Sequence, residues 1–201
     1  MGDDPFGRYL LETLEEYGLP DRCLETDPTA KTGLAFVTHD ETGDREFTFY
    51  RDGTADTRLE PGRIDDETLA TVGVQKTTVR ELERLGFVGD FLEAIARDAM
   101  VAGPAVAFVT RGDAGAIAVG ADGSEWAGVA IHPGFDTDVV DTTGAGDAFV
   151  AGAIAGLYEG RALESTLAFA NAVGAVATTA AGAMAALPDR KAVASITSEF
   201  D

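Results

Sequence analysis

Basic side chains are scarce in this chain: 15 Lys and Arg stand against 35 Asp and Glu, a formal charge of −20. Such a surface repels phosphate backbones and anionic lipid, which argues against nucleic acid and membranes as partners. The acids are spread along the chain and Lys is scarcer than Arg. A solvated acidic shell of this kind suits a high-salt cytoplasm, where screening removes self-repulsion. Cys23 stands alone, so there is no disulfide framework. His39 and His132 are isolated and offer no zinc spacing. Long apolar runs are missing too. The most apolar stretch, Ala162 to Leu187, is built from Ala, Thr and Gly with Asn171 inside it, and reads as core helix, not membrane span. The acidic N-terminus carries no signal-peptide pattern, so the expected location is cytoplasmic. No G-x-x-x-x-G-K-[ST] phosphate loop occurs.

What the chain does carry is Asp141-Thr142-Thr143-Gly144-Ala145-Gly146-Asp147, followed by Ala148-Phe149-Val150-Ala151-Gly152. Phe135 to Val140 alternates like a strand, and Asp147 to Tyr158 carries Phe149, Ile154 and Leu157 on a helical stripe. Gly144 and Gly146 permit backbone torsions and close approach that a Cβ would forbid. Amides opening a helix at its positive pole make a place for an anion. Asp147 beside them could take a proton from an alcohol, and an anion hole next to a base suits phosphoryl transfer. A helix N-cap and a plain turn would explain an isolated GxGD equally well.

The full string D-T-T-G-A-G-D-A-F-x-A-G resembles the second signature of the PfkB (ribokinase-like) carbohydrate kinases. The resemblance implies a three-layer α/β/α sandwich with a small β-hairpin lid, ATP and Mg²⁺ as cofactors, and a small sugar as substrate. Asp147 would be the base, and Gly144, Ala145 and Gly146 the anion hole. Arg111-Gly112-Asp113-Ala114-Gly115 resembles the family's T-x-G-x-x-G turn, which implies nucleotide contacts from Thr110, Gly112 and Gly115. Asn171 resembles the A-N-A-x-x-A segment lining the adenine pocket, although a satisfied core amide is the other reading. Gly182 lies in the matching loop near adenine and a monovalent-cation site. Asp141 and Thr143 would supply oxygens there for K⁺. Thr78-Val79-Arg80-Glu81 lies where the family has N-x-x-E, so Glu81 could organise Mg²⁺ through its waters, or be only a helix-surface acid.

Nearer the N-terminus, Gly2-Asp3-Asp4-Pro5-Phe6-Gly7 resembles the family's G-x-D-x-x-G segment and leads into a helix from about Asp4 to Tyr17. Leu10, Leu11 and Leu14 are its expected buried side. Residues 32–39 and 45–51 read as a hairpin around the turn 41–44. Glu46 to Asp56 resembles the F-x-x-R-x-x-S/T-A-D stretch of fructokinase-type members, placing Arg51 by the sugar. Phe49, where 2-keto-3-deoxygluconate kinases tend to have Tyr, favours a fructose-like substrate. A short helix is expected over 65–72.

The remaining elements follow the α/β alternation. Helices are expected over 78–85, 91–101, 147–159, 163–181 and 189–200, and strands over 105–110, 117–120 and 124–132. The whole reads as a single kinase domain with blocks 2–72 and 75–201. Strand–helix units expected before residue 2 and near 70–75 have no counterpart, so the sheet is expected to be incomplete. Its open edges call for a second copy or a partner chain. A catalytically impaired nucleotide-binding remnant is the rival reading.

Overall fold

The computed structural model describes residues 1–19, 21, 24–39, 45–58, 60, 73–87, 92–100 and 103–197. The chain divides into two compact units, 1–69 and 70–201. The expected turn at 41–44 and helix at 65–72 lie outside the described residues.

In the first unit, α1 (Pro5–Glu16) begins on Asp4 as N-cap, with Pro at the position where a missing N–H costs nothing. One Asp4 carboxylate oxygen accepts from the Gly7 amide at 2.9 Å, and the other from the Thr32 amide at 2.7 Å. A Cβ on Gly7 would lie 2.0 Å from the Gly2 carbonyl oxygen, so the glycine–aspartate–glycine spacing is imposed by close main-chain approach. The expected apolar face of α1 is only partly covered. Gly7 is the residue of α1 that is buried, Leu11 and Leu14 are half-buried, and Leu10 is 42% exposed.

Strands β1 (Leu34–His39) and β2 (Arg45–Tyr50) pair antiparallel, Leu34 opposite Tyr50. Alternation puts aromatics on both faces. Phe47 stacks with Phe49 on one face, and Phe36 meets Tyr50 edge-on on the other. All four rings are exposed.

The second unit is a sheet between two helical layers. Its strand order is β3 (Val74–Thr78), β4 (Val106–Thr110), β5 (Ala116–Gly120), β6 (Gly128–His132). β3 runs parallel to β4, and the remaining pairs are antiparallel. Val74–Thr78, where the sequence led to no expected strand ahead of the helix at 78–85, forms this first strand. Thr77 and Thr78 have the branched side chains that favour it.

β4 and β5 are buried on both sides, as a continuous apolar run predicts. Val106 and Phe108 pack with Ala116 and Ala118 under α4 (Ala145–Tyr158) and α5 (Leu163–Ala177). Val109, Ile117 and Val119 face Leu82 of α2 (Val79–Arg84) and Ala96 of α3 (Leu92–Ala99). α6 (Arg190–Thr197) closes on α4 and α5 through Val193. α4 and α5 approach closely because Gly152 and Gly156 carry no side chain. A Cβ on Gly152 would sit 2.9 Å from the Ala170 Cα, and one on Gly156 the same distance from the Thr166 Cγ2.

Several expected boundaries move. Residues 135–140 alternate like a strand but form no ladder among the described residues. Their main chain is tied instead by the Val140 and Asp141 amides to the Thr178 carbonyl, and Val139 and Val140 are exposed. α4 starts two residues before Asp147, α5 stops at Ala177, and 124–127 precede β6 as a turn.

Candidate active site

The loop 141–144 is shaped by one buried carboxylate. Asp141 is 5% exposed, and its two oxygens accept from the Thr143 amide at 2.8 Å and the Gly182 amide at 2.9 Å. It therefore fastens the α4 entry loop to the turn after α5. Gly144 follows as the α4 N-cap at φ +78°, a left-handed conformation that L side chains rarely adopt. A Cβ there would also lie 2.9 Å from both the Cα and Cβ of Ala183.

The helix mouth leaves donors open. The Ala145 amide bonds to the Thr142 carbonyl at a long 3.3 Å. Among the described residues, the Gly144, Gly146 and Asp147 amides have no acceptor in the chain, and no side chain caps the helix. Asp147 lies in the first turn with its side chain exposed, beside those amides and not inside the protein. Lys76 of β3 also reaches this mouth, a feature the sequence reading missed. Its Nζ is 3.4 Å from where a Gly146 Cβ would stand.

The other side of the site is the end of β4. Thr110 lies at its last position, and its hydroxyl donates weakly to the Thr77 carbonyl at 3.4 Å. Gly112 opens a 3₁₀ turn, Gly112–Ala114, at φ +66° with open space where a Cβ would point. Gly115 has a packing reason: a Cβ would meet the His132 carbonyl oxygen at 2.1 Å.

Glu81 is engaged in a capping box. Its carboxylate accepts from the Thr78 amide at 2.7 Å, while the Thr78 hydroxyl accepts from the Glu81 amide at 3.2 Å. The Thr78 amide is the leading cause that holds this carboxyl below its ordinary range. Asn171 is buried, and its side-chain amide donates to the Leu167 carbonyl at 2.8 Å, the satisfied core role. In the first unit, Arg51 is paired with Asp56 at 2.6 Å, and Asp56 also accepts from the Thr54 hydroxyl.

No group of three His, Cys, Asp or Glu among the described residues could cage a metal ion. That donor set fits Mg²⁺ only in its usual mode, held by one or two carboxylates together with water and substrate phosphates. Among the described residues, no helix is long and apolar enough to cross a membrane.

The model of the pfkB family carbohydrate kinases matches this chain in two segments, residues 1–78 and 65–190. The chain belongs to this family. A fructokinase from Klebsiella pneumoniae is 30% identical, with 94% of this chain and 81% of that protein covered. The aligned length, 254 residues, exceeds the 201 of the chain, so the alignment skips over residues of the relative. The fold is ribokinase-like. A Vibrio cholerae fructokinase with fructose, ADP and calcium ion bound superposes with a TM-score of 0.69 at 25% identity, covering 98% of this chain and 83% of that one. A Xylella fastidiosa fructokinase with bound ATP gives a TM-score of 0.67 at 24% identity, covering 99% and 83%.

Proposed function

We propose that this chain is an ATP-dependent sugar kinase, with both units belonging to one kinase domain and a fructose-like sugar as acceptor. One observation carries the reading: an exposed Asp147 in the first turn of a helix at whose mouth the Gly144, Gly146 and Asp147 amides have no acceptor among the described residues. Family membership and the fructokinase relatives support it.

In this reading the sugar hydroxyl oxygen uses a lone pair to form a bond to the γ-phosphorus, and its proton passes to the Asp147 carboxylate. The bond from phosphorus to the β–γ bridging oxygen breaks, and its electron pair leaves with ADP. The Gly144, Ala145 and Gly146 end of α4 receives the charge that develops on the phosphoryl oxygens. Thr110, Gly112 and Gly115 border the nucleotide phosphates and ribose. Asn171 and Gly182 lie toward the adenine. Mg²⁺ supplies charge neutralisation when bound, and Glu81 would hold it through water. Asp141 and Thr143 would offer oxygens to K⁺, and Arg51 would approach the sugar.

Asp147→Asn tests the reading. Turnover with fructose should fall by about a hundred- to ten-thousandfold, the range that general-base catalysis contributes, while ATP affinity stays near wild type. Retained turnover refutes it. Assays with 2-keto-3-deoxygluconate alongside fructose settle the acceptor.

A second reading, a nucleotide-binding chain impaired in transfer, is favoured by the two-segment family match. ATP binding with no sugar-stimulated ADP release would select it.

A further inference from the structure

The two faces of the sheet in the second unit are not closed equally. Ala116 and Ala118 of β5 pack under α4, whose mouth is the candidate active site. Ile117 faces the opposite way, toward α2 and α3, and stands across from Ile131 of β6. With Leu92 at the start of α3, these two isoleucines border a cavity of about 420 Å³. Small-ligand sites run to roughly 300–1,000 Å³ and are mostly apolar with a few placed polar groups. Ile117 is buried, whereas Ile131 is 68% exposed on the outer strand.

A cation shares the same wall. Arg111 lines the cavity, is half-buried, and among the described residues forms no ion pair. Its Nη2 donates to the Ala114 carbonyl and, at a long 3.4 Å, to the His132 carbonyl. Its Nε is the buried side-chain nitrogen that, among the described residues, has no acceptor. Two carbonyl dipoles leave a guanidinium undercompensated where water is partly excluded. Arg97, which also lines the cavity, is already matched: its Nε donates to Glu93 at 3.2 Å. In a chain with 35 acids, Arg111 is therefore turned toward an apolar space and not toward a carboxylate of its own.

We infer that this cavity binds a small amphipathic acid, a carboxylate on an apolar chain. The carboxylate pairs with Arg111, whose planar fork suits that group. The chain lies over Ile117, Ile131 and Leu92, and covering Ile131 removes apolar surface from water. The inference does not rest on the kinase reading, since the cavity lies on the sheet face turned away from α4.

Octanoate is the probe, with octanamide as its uncharged counterpart and butyrate as its shortened one. Each is titrated calorimetrically against the full chain and followed by amide chemical shifts. Octanoate should bind saturably and shift the Ile117 and Ile131 amides. Octanamide should bind at least about tenfold more weakly, the range of a charge-assisted hydrogen bond. Butyrate should lose roughly fourfold for each CH₂ removed. Arg111→Gln should weaken octanoate by about tenfold or more and leave octanamide within about twofold. Ile131→Asp, at an exposed position, should weaken octanoate by at least about tenfold through lost apolar contact and like charge. It carries the test alone should Arg111→Gln melt early.

Absence of saturable octanoate binding would overturn the inference, as would equal affinities for octanoate and octanamide. So would octanoate binding that survives Ile131→Asp or is displaced by ATP. If octanoate fails to bind and the chain self-associates until Ile131→Asp is introduced, the occupant is a second copy and the inference falls. None of these results touches the role of Asp147, and turnover surviving Asp147→Asn leaves the acid site standing.

Discussion

The Asp141 carboxylate accepts a hydrogen bond from the Gly182 amide at 2.9 Å, joining two loops 41 residues apart. Its other oxygen takes the Thr143 amide, so neither half of the carboxylate is idle. Asp141→Asn turns one acceptor into a buried donor facing an N–H. Urea unfolding should show a loss of about 1–3 kcal/mol, the cost of an unsatisfied buried donor, together with weaker ATP binding. An unchanged midpoint would mean the loops are held by something else.

Gly144→Ala faces two obstacles, the left-handed backbone and the Ala183 main chain. A cost of about 1–3 kcal/mol is expected from the backbone alone. Adding Ala183→Gly removes only the Cβ contact and leaves the Cα and carbonyl contacts and the torsional cost, so thermal melts should recover little. Full recovery would show that φ at residue 144 carries no strain.

Asp4 gives the first unit a defined response to acid. The Thr32 amide is the leading cause, and the Gly7 amide the next, that pull its carboxyl from 3.8 down to about 2. Because the folded value lies below the unfolded one, the stabilisation is complete above about pH 4 and disappears as pH falls toward 2. Hydrogen exchange at the Gly7 and Thr32 amides should therefore quicken across that window. In Asp4→Asn the exchange should be faster at neutral pH, and the acid step should be missing.

A net charge of −20 sets the response to salt. Self-repulsion among exposed acids is screened once the Debye length falls to about 10 Å near 0.1 M and about 3 Å at 1 M. The melting temperature should rise as KCl goes from 0.05 to 1 M, each value a chosen condition on the order of the screening range. A flat or falling curve would show that the acids are already compensated locally.

The site loop was legible in the sequence because its shape is local. Gly144 needs its left-handed torsion within the loop, and Asp147 follows by spacing. The same holds for Asp4, where the capping carboxylate and the Gly7 amide it accepts from are three residues apart. What escaped depends on distant partners. Residues 135–140 alternate like a strand, yet a strand exists only where a neighbour offers a ladder, and their main chain bonds to Thr178 instead. β3 was missed for the converse reason. Val74 to Thr78 is too short to declare itself, and its pairing partner lies about thirty residues on, at Val106. Lys76 went with it, although its rarity in so acidic a chain was a usable signal. Asn171 came from the resemblance, and the bond its side-chain amide makes to the Leu167 carbonyl within α5 is one that spacing alone does not reveal.

Gly152 and Gly156 determine how the α4 tip behaves before any nucleotide arrives. With the α5 backbone and Thr166 less than a methyl group away, rolling α4 about its axis drives main chain into main chain. The donors at its end are consequently aimed in advance, and little ordering entropy is left to be lost when a polyanion lands. Enlarging either glycine would blunt capture from more than one helical turn away, without touching any atom of the ligand.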